Sequence, residues 1–114
     1  MSRIIGADSE AAAVKFLKKQ GCKIIEQNRA FKFGEADIVC WDGDILVFVE
    51  VKYRKSADFG APENFVTYKK QKSYFKMAGI YSQRREYRGK NIRFDIVSIC
   101  GKEITRLKNA FWER

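Results

Sequence analysis

Asp37, Glu50 and Lys52 are the residues whose types and spacing most readily do chemistry. Asp37 and Glu50 flank an Asp42-Gly43 pair, a strong two-residue hairpin signal because both positions tolerate the positive φ of a type I′ turn. With that loop Trp41 faces Asp44, and Asp37 stands opposite Phe48, diagonal to Glu50. Side chains alternate across a strand, so Phe48, Glu50 and Lys52 share one face with Asp37; Glu35 falls there too, opposite Glu50. Diagonal neighbours lie ~7–8 Å apart at their backbones, close enough for two carboxylates to converge on one ion. Leu46 and Phe48 occupy the same face, so the acids crowd beside apolar surface, where repulsion and desolvation both cost free energy. A divalent cation relieves both costs, and oxygen-only ligation suits magnesium or manganese. The plainer alternative is a Glu50–Lys52 ion pair on an exposed strand end, with Asp37 unrelated.

Glu10 offers a further acid, since positions 10, 13 and 17 lie on one side of a helix and Ala13 and Leu17 are apolar. Equally, Glu10 could simply be an acid favoured by the dipole near a helix N-terminus. Gln71 shares a helical face with Tyr74, Phe75 and Ala78 and so aims a polar group at the sheet. The chain has no histidine, which leaves carboxylates, lysine, tyrosine or a metal ion for any chemistry. Cys22, Cys40 and Cys100 stand far apart without a CxxC pair; they read as small reduced core residues, not as a disulfide framework or a zinc site.

The elements that must position these groups follow in the order αβββαββ. Asp8 or Ser9 can cap a first helix that runs to about Gln20, with Gly21 as its stop and Ala13, Phe16 and Leu17 as its buried stripe. Strands follow at Cys22–Gln27, Glu35–Trp41 and Ile45–Tyr53, the third apolar on both faces at its start and therefore central. After a loop containing Gly60 and Pro62, a second helix spans Thr67 to Gln83, with Tyr74, Phe75, Ala78 and Tyr81 on its apolar stripe. Strands at Ile92–Ile99 and Glu103–Leu107 complete a mixed α/β sheet. The first three strands form an antiparallel meander, and the second helix serves as a right-handed crossover to a strand parallel to the third.

The 114 residues fit one domain, 1–114. The apolar run Ile45–Val49 is far short of the ~20 residues a membrane span needs, and the N-terminus lacks a signal-type stretch. A cytoplasmic protein without membrane contact is expected. The net charge of +9 is concentrated between Lys69 and Arg93, where Lys69, Lys70, Lys72, Lys76, Arg84, Arg85 and Arg88 interleave with tyrosines. Clustered cations gain affinity for polyanions by releasing condensed counterions, so this stretch, together with Arg54, is expected to bind nucleic acid, DNA more than RNA; the plainer alternative is a solvated helix surface.

Asp37, a hairpin, then Glu50-Val51-Lys52 resembles the Asp…Glu-x-Lys signature of the PD-(D/E)XK nuclease superfamily. The framing is more particular. Gly34-Glu35-Ala36-Asp37-Ile38-Val39 and Phe48-Val49-Glu50-Val51-Lys52-Tyr53-Arg54 resemble the YraN family of bacterial proteins. So do Phe59-Gly60-x-Pro62, Val66 before Lys70-Gln71, Arg93-Phe94-Asp95-Ile96-Val97 and Asn109-Ala110-Phe111. The resemblance implies a restriction-endonuclease-like fold, similar to that of archaeal Holliday-junction resolvases, and a homodimer. It also implies Glu10, Asp37, Glu50 and the Val51 carbonyl at a magnesium or manganese site, Lys52 as catalytic lysine and Gln71 as an auxiliary residue. Ala36 stands where the superfamily has proline, Ser9 where the family usually has glycine, and Arg106 where a histidine is frequent. The expected activity is metal-dependent hydrolysis of phosphodiester bonds in DNA, branched or otherwise structured DNA included; the alternative is a catalytically silent nucleic-acid-binding module on the same fold.

Overall fold

In a computed structural model, which describes residues 2–54 and 66–112 with side chains from Asp8 onward, the chain forms a mixed sheet flanked by two helices. The elements run α1 (Ser2–Lys19), β1 (Lys23–Phe31), β2 (Gly34–Asp42), β3 (Ile45–Arg54), α2 (Tyr68–Ser82), a 3-10 turn (Arg85–Tyr87), β4 (Ile92–Cys100) and β5 (Glu103–Leu107). The 3-10 turn is a detail the sequence did not announce. The loop with Gly60 and Pro62 lies outside the described residues.

Spatial order follows sequence order, β1-β2-β3-β4-β5. Only β3 and β4 pair parallel; the other neighbours are antiparallel. The parallel step requires a long crossover, and α2 lies within it. Strand alternation then sends two apolar sets to opposite sides. Val39, Leu46, Phe48, Phe94 and Ile96 pack under Tyr74, Met77, Ala78 and Tyr81 of α2. Ile38, Cys40, Val47, Val49 and Val97 pack against Ala13 and Leu17 of α1. Met77, fully buried, fills a place in the α2 stripe where the sequence favoured Phe75, which is only half-buried.

Three boundaries depart from expectation for local reasons. α1 runs from Ser2 straight through the expected cap at Asp8 or Ser9. Gly6 and Ser9 each cost a helix only ~1 kcal/mol or less, too little to stop it, and Ser9 is buried inside it. β1 extends to Phe31 by way of a bulge between Ile24 and Glu26 and a left-handed Asn28 (φ 51). The hairpin loop is Gly43-Asp44, because Asp42 already pairs with Ile45. Gly43 has φ 64 while Asp44 is not left-handed, the φ signs of a type II′ turn with glycine first. At α2 the expected start holds: the Thr67 side chain accepts the Lys70 N–H at 3.1 Å.

In β4, opposite Val49, Asp95 is fully buried. It accepts from Arg93 at 2.8 and 3.0 Å, from Arg106 at 3.1 Å and from the Asn109 N–H at 3.0 Å. Asp42 adds Arg93 at 2.6 Å and Arg106 at 2.9 Å, which hold its carboxyl below the usual range, Arg93 first. Arg106 thus ties β5 to β2 and β4. Among the described residues, no helix is long and apolar enough to cross a membrane.

Candidate active site

The β2–β3 ladder ends at Ile38↔Val49. Moving the loop one residue on keeps the parity of the strands, so Asp37 still belongs with Glu50, now directly across instead of diagonal. The pairing does not continue there. Instead the Val51 N–H donates to Asp37 Oδ2 at 2.8 Å, a side chain taking the place of a ladder carbonyl. Ala36 and Val39 both pack into the cluster under α2; residues three apart on a regular strand face opposite ways, so alternation lapses at Asp37. That lapse lets one carboxylate reach groups on both sides of the sheet.

On one side, single carboxylate oxygens of Glu10, Glu35 and Asp37 lie within 4.8 Å of one another. Glu10 comes from α1, one turn before Ala13, whose burial fixes that face of the helix toward the sheet. On the other side is Glu50, 1% exposed. It accepts the Tyr74 hydroxyl at 2.6 Å and pairs with Lys52 Nζ at 3.3 Å and with Lys70 Nζ. Burial first, then the Glu50 charge, pushes the Asp37 carboxyl from 3.8 up to about 7; the Val51 N–H and Lys70 oppose this. Burial and the same two carboxylates push the Tyr74 hydroxyl well above its ordinary value, so it remains a donor to Glu50.

Of the residues singled out by sequence, Glu10, Asp37, Glu50 and Lys52 come together. Glu50 contributes through Asp37 and the lysines and stands outside the acid trio; Glu35 takes the third place there. Gln71 turns its amide to the Val66 carbonyl at 3.0 Å, bracing the entry to α2. Lys70 is drawn to Glu50, whereas Lys69 and Lys72 stay exposed on α2. Arg84 lies over the Tyr81 ring at 4.5 Å and 4.0 Å from Glu26, and Arg88 donates to the Gln83 carbonyl at 3.3 Å. Arg85 is exposed in the 3-10 turn, and Arg54 ends β3. Sequence reasoning missed the Tyr74 hydroxyl and the inward turn of Lys70. Their i, i+4 spacing, which puts both on one helix face, was the available signal.

The donor set is all oxygen, with no imidazole in the chain. Such a set fits a hard divalent ion, magnesium or manganese, and offers nothing to a soft metal.

Comparison with known proteins agrees with the motifs. The model of "Uncharacterised protein family UPF0102" matches residues 9–99. A UPF0102 protein of Persephonella marina is 40% identical over 110 residues, 96% of this chain and 95% of that one. One from Thermodesulfovibrio yellowstonii is 41% identical over 115 residues, 98% and 100% of the two chains. One from Dictyoglomus turgidum reaches 46% over 95 residues, 83% and 80%. The family match runs from the α1 acid through the Asp37 strand, Glu50-Val51-Lys52 and α2 into β4, and the chain belongs to the UPF0102 family, the YraN family whose motifs its sequence carries.

Proposed function

We propose that this chain is a metal-dependent phosphodiesterase of the PD-(D/E)XK type, with a restriction-endonuclease-like fold, acting on nucleic acid and on DNA in preference to RNA. One observation carries the reading: Asp37 belongs to an oxygen-only acid trio and also feels the charge of a buried glutamate that holds two lysines. Glu10, Glu35 and Asp37 would hold the ion, with Glu50 and the Val51 carbonyl as further oxygen donors beside them. When bound, magnesium or manganese supplies positive charge to the phosphate and eases deprotonation of the attacking water. Lys52 then stabilises charge that grows on the phosphate oxygens. Glu50 keeps the Lys52 ammonium in place, and the Tyr74 hydroxyl keeps Glu50 in place. The Val51 N–H fixes Asp37, so the acid does not reorganise as substrate arrives. Working as a symmetric pair of copies belongs to the same reading.

The test is cleavage of duplex, single-stranded and four-way-junction DNA with magnesium or manganese. The wild type should cut at least one of them, and Asp37→Ala and Glu50→Ala should abolish cutting; activity unchanged in both variants would reject the site. A specific observation favours a second reading, a silent binding module: Glu50 is already neutralised by Lys52, Lys70 and Tyr74 without any ion. In that case DNA binds equally well with or without metal, and calorimetry with magnesium shows no heat.

A further inference from the structure

The cations of this molecule divide by what holds them. Lys52 and Lys70 pair with Glu50; Arg93 and Arg106 are absorbed by Asp42 and Asp95. Lys32, Lys72 and Lys76 are different. All three are exposed, and none is within ion-pair distance of a carboxylate among the described residues. Two of them rest on rings instead: Lys72 Nζ lies 5.1 Å from the Tyr68 centroid and Lys76 Nζ lies 5.5 Å from the Phe33 centroid.

A ring holds an ammonium through its quadrupole. Unlike a carboxylate, it does not saturate the three N–H donors. Such a lysine is pre-positioned while its hydrogen bonds stay open to an incoming oxyanion. The ring platform is itself fixed. Phe33 stacks on Phe31 with centroids 5.4 Å apart, and the Ser73 hydroxyl of α2 donates to the Phe33 carbonyl at 2.8 Å. A Cβ on Gly34 would meet the Ser73 Cβ at 3.0 Å, so a side chain there would crowd the helix unless Ser73 gave way by a few tenths of an ångström. From this clamped turn the chain runs directly through Gly34 and Glu35 to Asp37.

We infer that the β1–β2 turn and the outer stripe of α2 form a phosphate track that leads a nucleic-acid backbone to the acid site: Lys32, Lys72 and Lys76 contact its phosphates, with Phe33 and Tyr68 holding two of the ammonium groups in place. This deepens the proposed function and rests on it for the placement of the substrate, but it is tested without metal or cleavage. Charge selects the occupant. Three such cations, on a chain of net charge +9, match the regular charge of a phosphodiester backbone. An acidic protein surface is the competing occupant, and its signature is binding that DNA does not reproduce.

The experiment is fluorescence anisotropy of the full chain with a fluorescein-labelled DNA duplex in EDTA, across a salt series. The Lys32→Ala/Lys72→Ala/Lys76→Ala variant should lower the slope of log affinity against log salt by roughly two to three, about 0.9 for each phosphate no longer neutralised. The three single variants should each lower it by about one, and they carry the test if the triple variant fails to fold. Phe33→Leu and Tyr68→Leu should weaken binding several-fold at fixed salt with little change in slope, because the charges remain. An undiminished slope in the lysine variants, or no DNA binding by the wild type, overturns the track. If the slope falls as stated and the wild type never cleaves DNA with metal, the track stands and the phosphodiesterase reading falls. Cleavage with an undiminished slope gives the reverse.

Discussion

Asp37 concentrates the electrostatic strain of the site, and its titration is measurable. Its carboxyl is raised from 3.8 to about 7, by burial first and by Glu50 second. A folded-state value above the unfolded one means the protonated acid is the comfortable form. The cost is absent below about pH 4 and fully present above about pH 7, so metal-free stability should fall as pH rises across that window. Asp37→Asn keeps an oxygen for the Val51 N–H and removes the charge. In EDTA at pH 8 it should therefore be more stable than wild type by roughly 2–4 kcal/mol, and its urea midpoint should lose that part of the pH dependence; equal stability at pH 8 would show that Asp37 is not strained. Tyr74→Phe tests the partner. It removes the donor 2.6 Å from a buried carboxylate, which should cost about 1–3 kcal/mol by urea denaturation. It should also lower kcat more than it changes KM if Glu50 positions Lys52. At this scale the sequence singled out Asp37, Glu50 and Lys52, and a period of two puts Glu50 and Lys52 on one face; the lapse of alternation at Asp37 left no signal in it. Lys70 was read as a surface cation because helix phase relative to the sheet is set by packing, here the burial of Tyr74 and Met77.

Elements explain why a loop shifted by one residue did no damage to the site. Parity is what a hairpin must keep, since an odd slip sends every side chain to the other face. The Gly43-Asp44 loop kept it, with the ladder running from Asp42↔Ile45 to Ile38↔Val49 and stopping just short of Asp37 and Glu50. The bulge in β1, the left-handed Asn28 and the end of the β2–β3 ladder at Ile38 left no mark in hydropathy, because a lapse in pairing changes hydrogen bonds and not composition. Yet that lapse is what frees the Val51 N–H for Asp37. Charge also closes β5 onto β4. Asp95 is fully buried, and the Arg106 side chain is 4% exposed. Asp95→Ala would leave Arg93 and Arg106 to Asp42 alone and strand the Asn109 N–H, at a cost of roughly 3–5 kcal/mol in urea or thermal denaturation. A loss under about 1 kcal/mol would mean that β5 is held by its ladder alone. The motif Arg93-Phe94-Asp95 was visible in the sequence, but its role as a clamp needed the third dimension to bring Arg106 and Asp42 to it.

For the whole molecule, composition already pointed to a polyanion, and the fold distributes the charge in a way composition could not show. Lys52, Lys70, Arg93 and Arg106 are held by Glu50 and by the Asp42–Asp95 network, whereas lysines and arginines of α2, the 3-10 turn and the β1–β2 turn are among those that face solvent. If about six phosphates are neutralised there, DNA affinity should fall ~10³-fold between about 50 and 200 mM salt; a change under about tenfold would exclude a phosphate-dominated interface. Two helices on opposite faces of one sheet bring an α1 acid, two β2 acids and the β3 glutamate–lysine pair to one end of the strands, and the function proposed for them turns on whether those acids hold an ion. The direct measurement is an anomalous difference map from a crystal soaked in manganese. The expected result is a peak coordinated by Asp37 together with Glu10 or Glu35, adjacent to Glu50. Full occupancy elsewhere, or no peak near Asp37 at saturating manganese, would contradict a metal site at these acids.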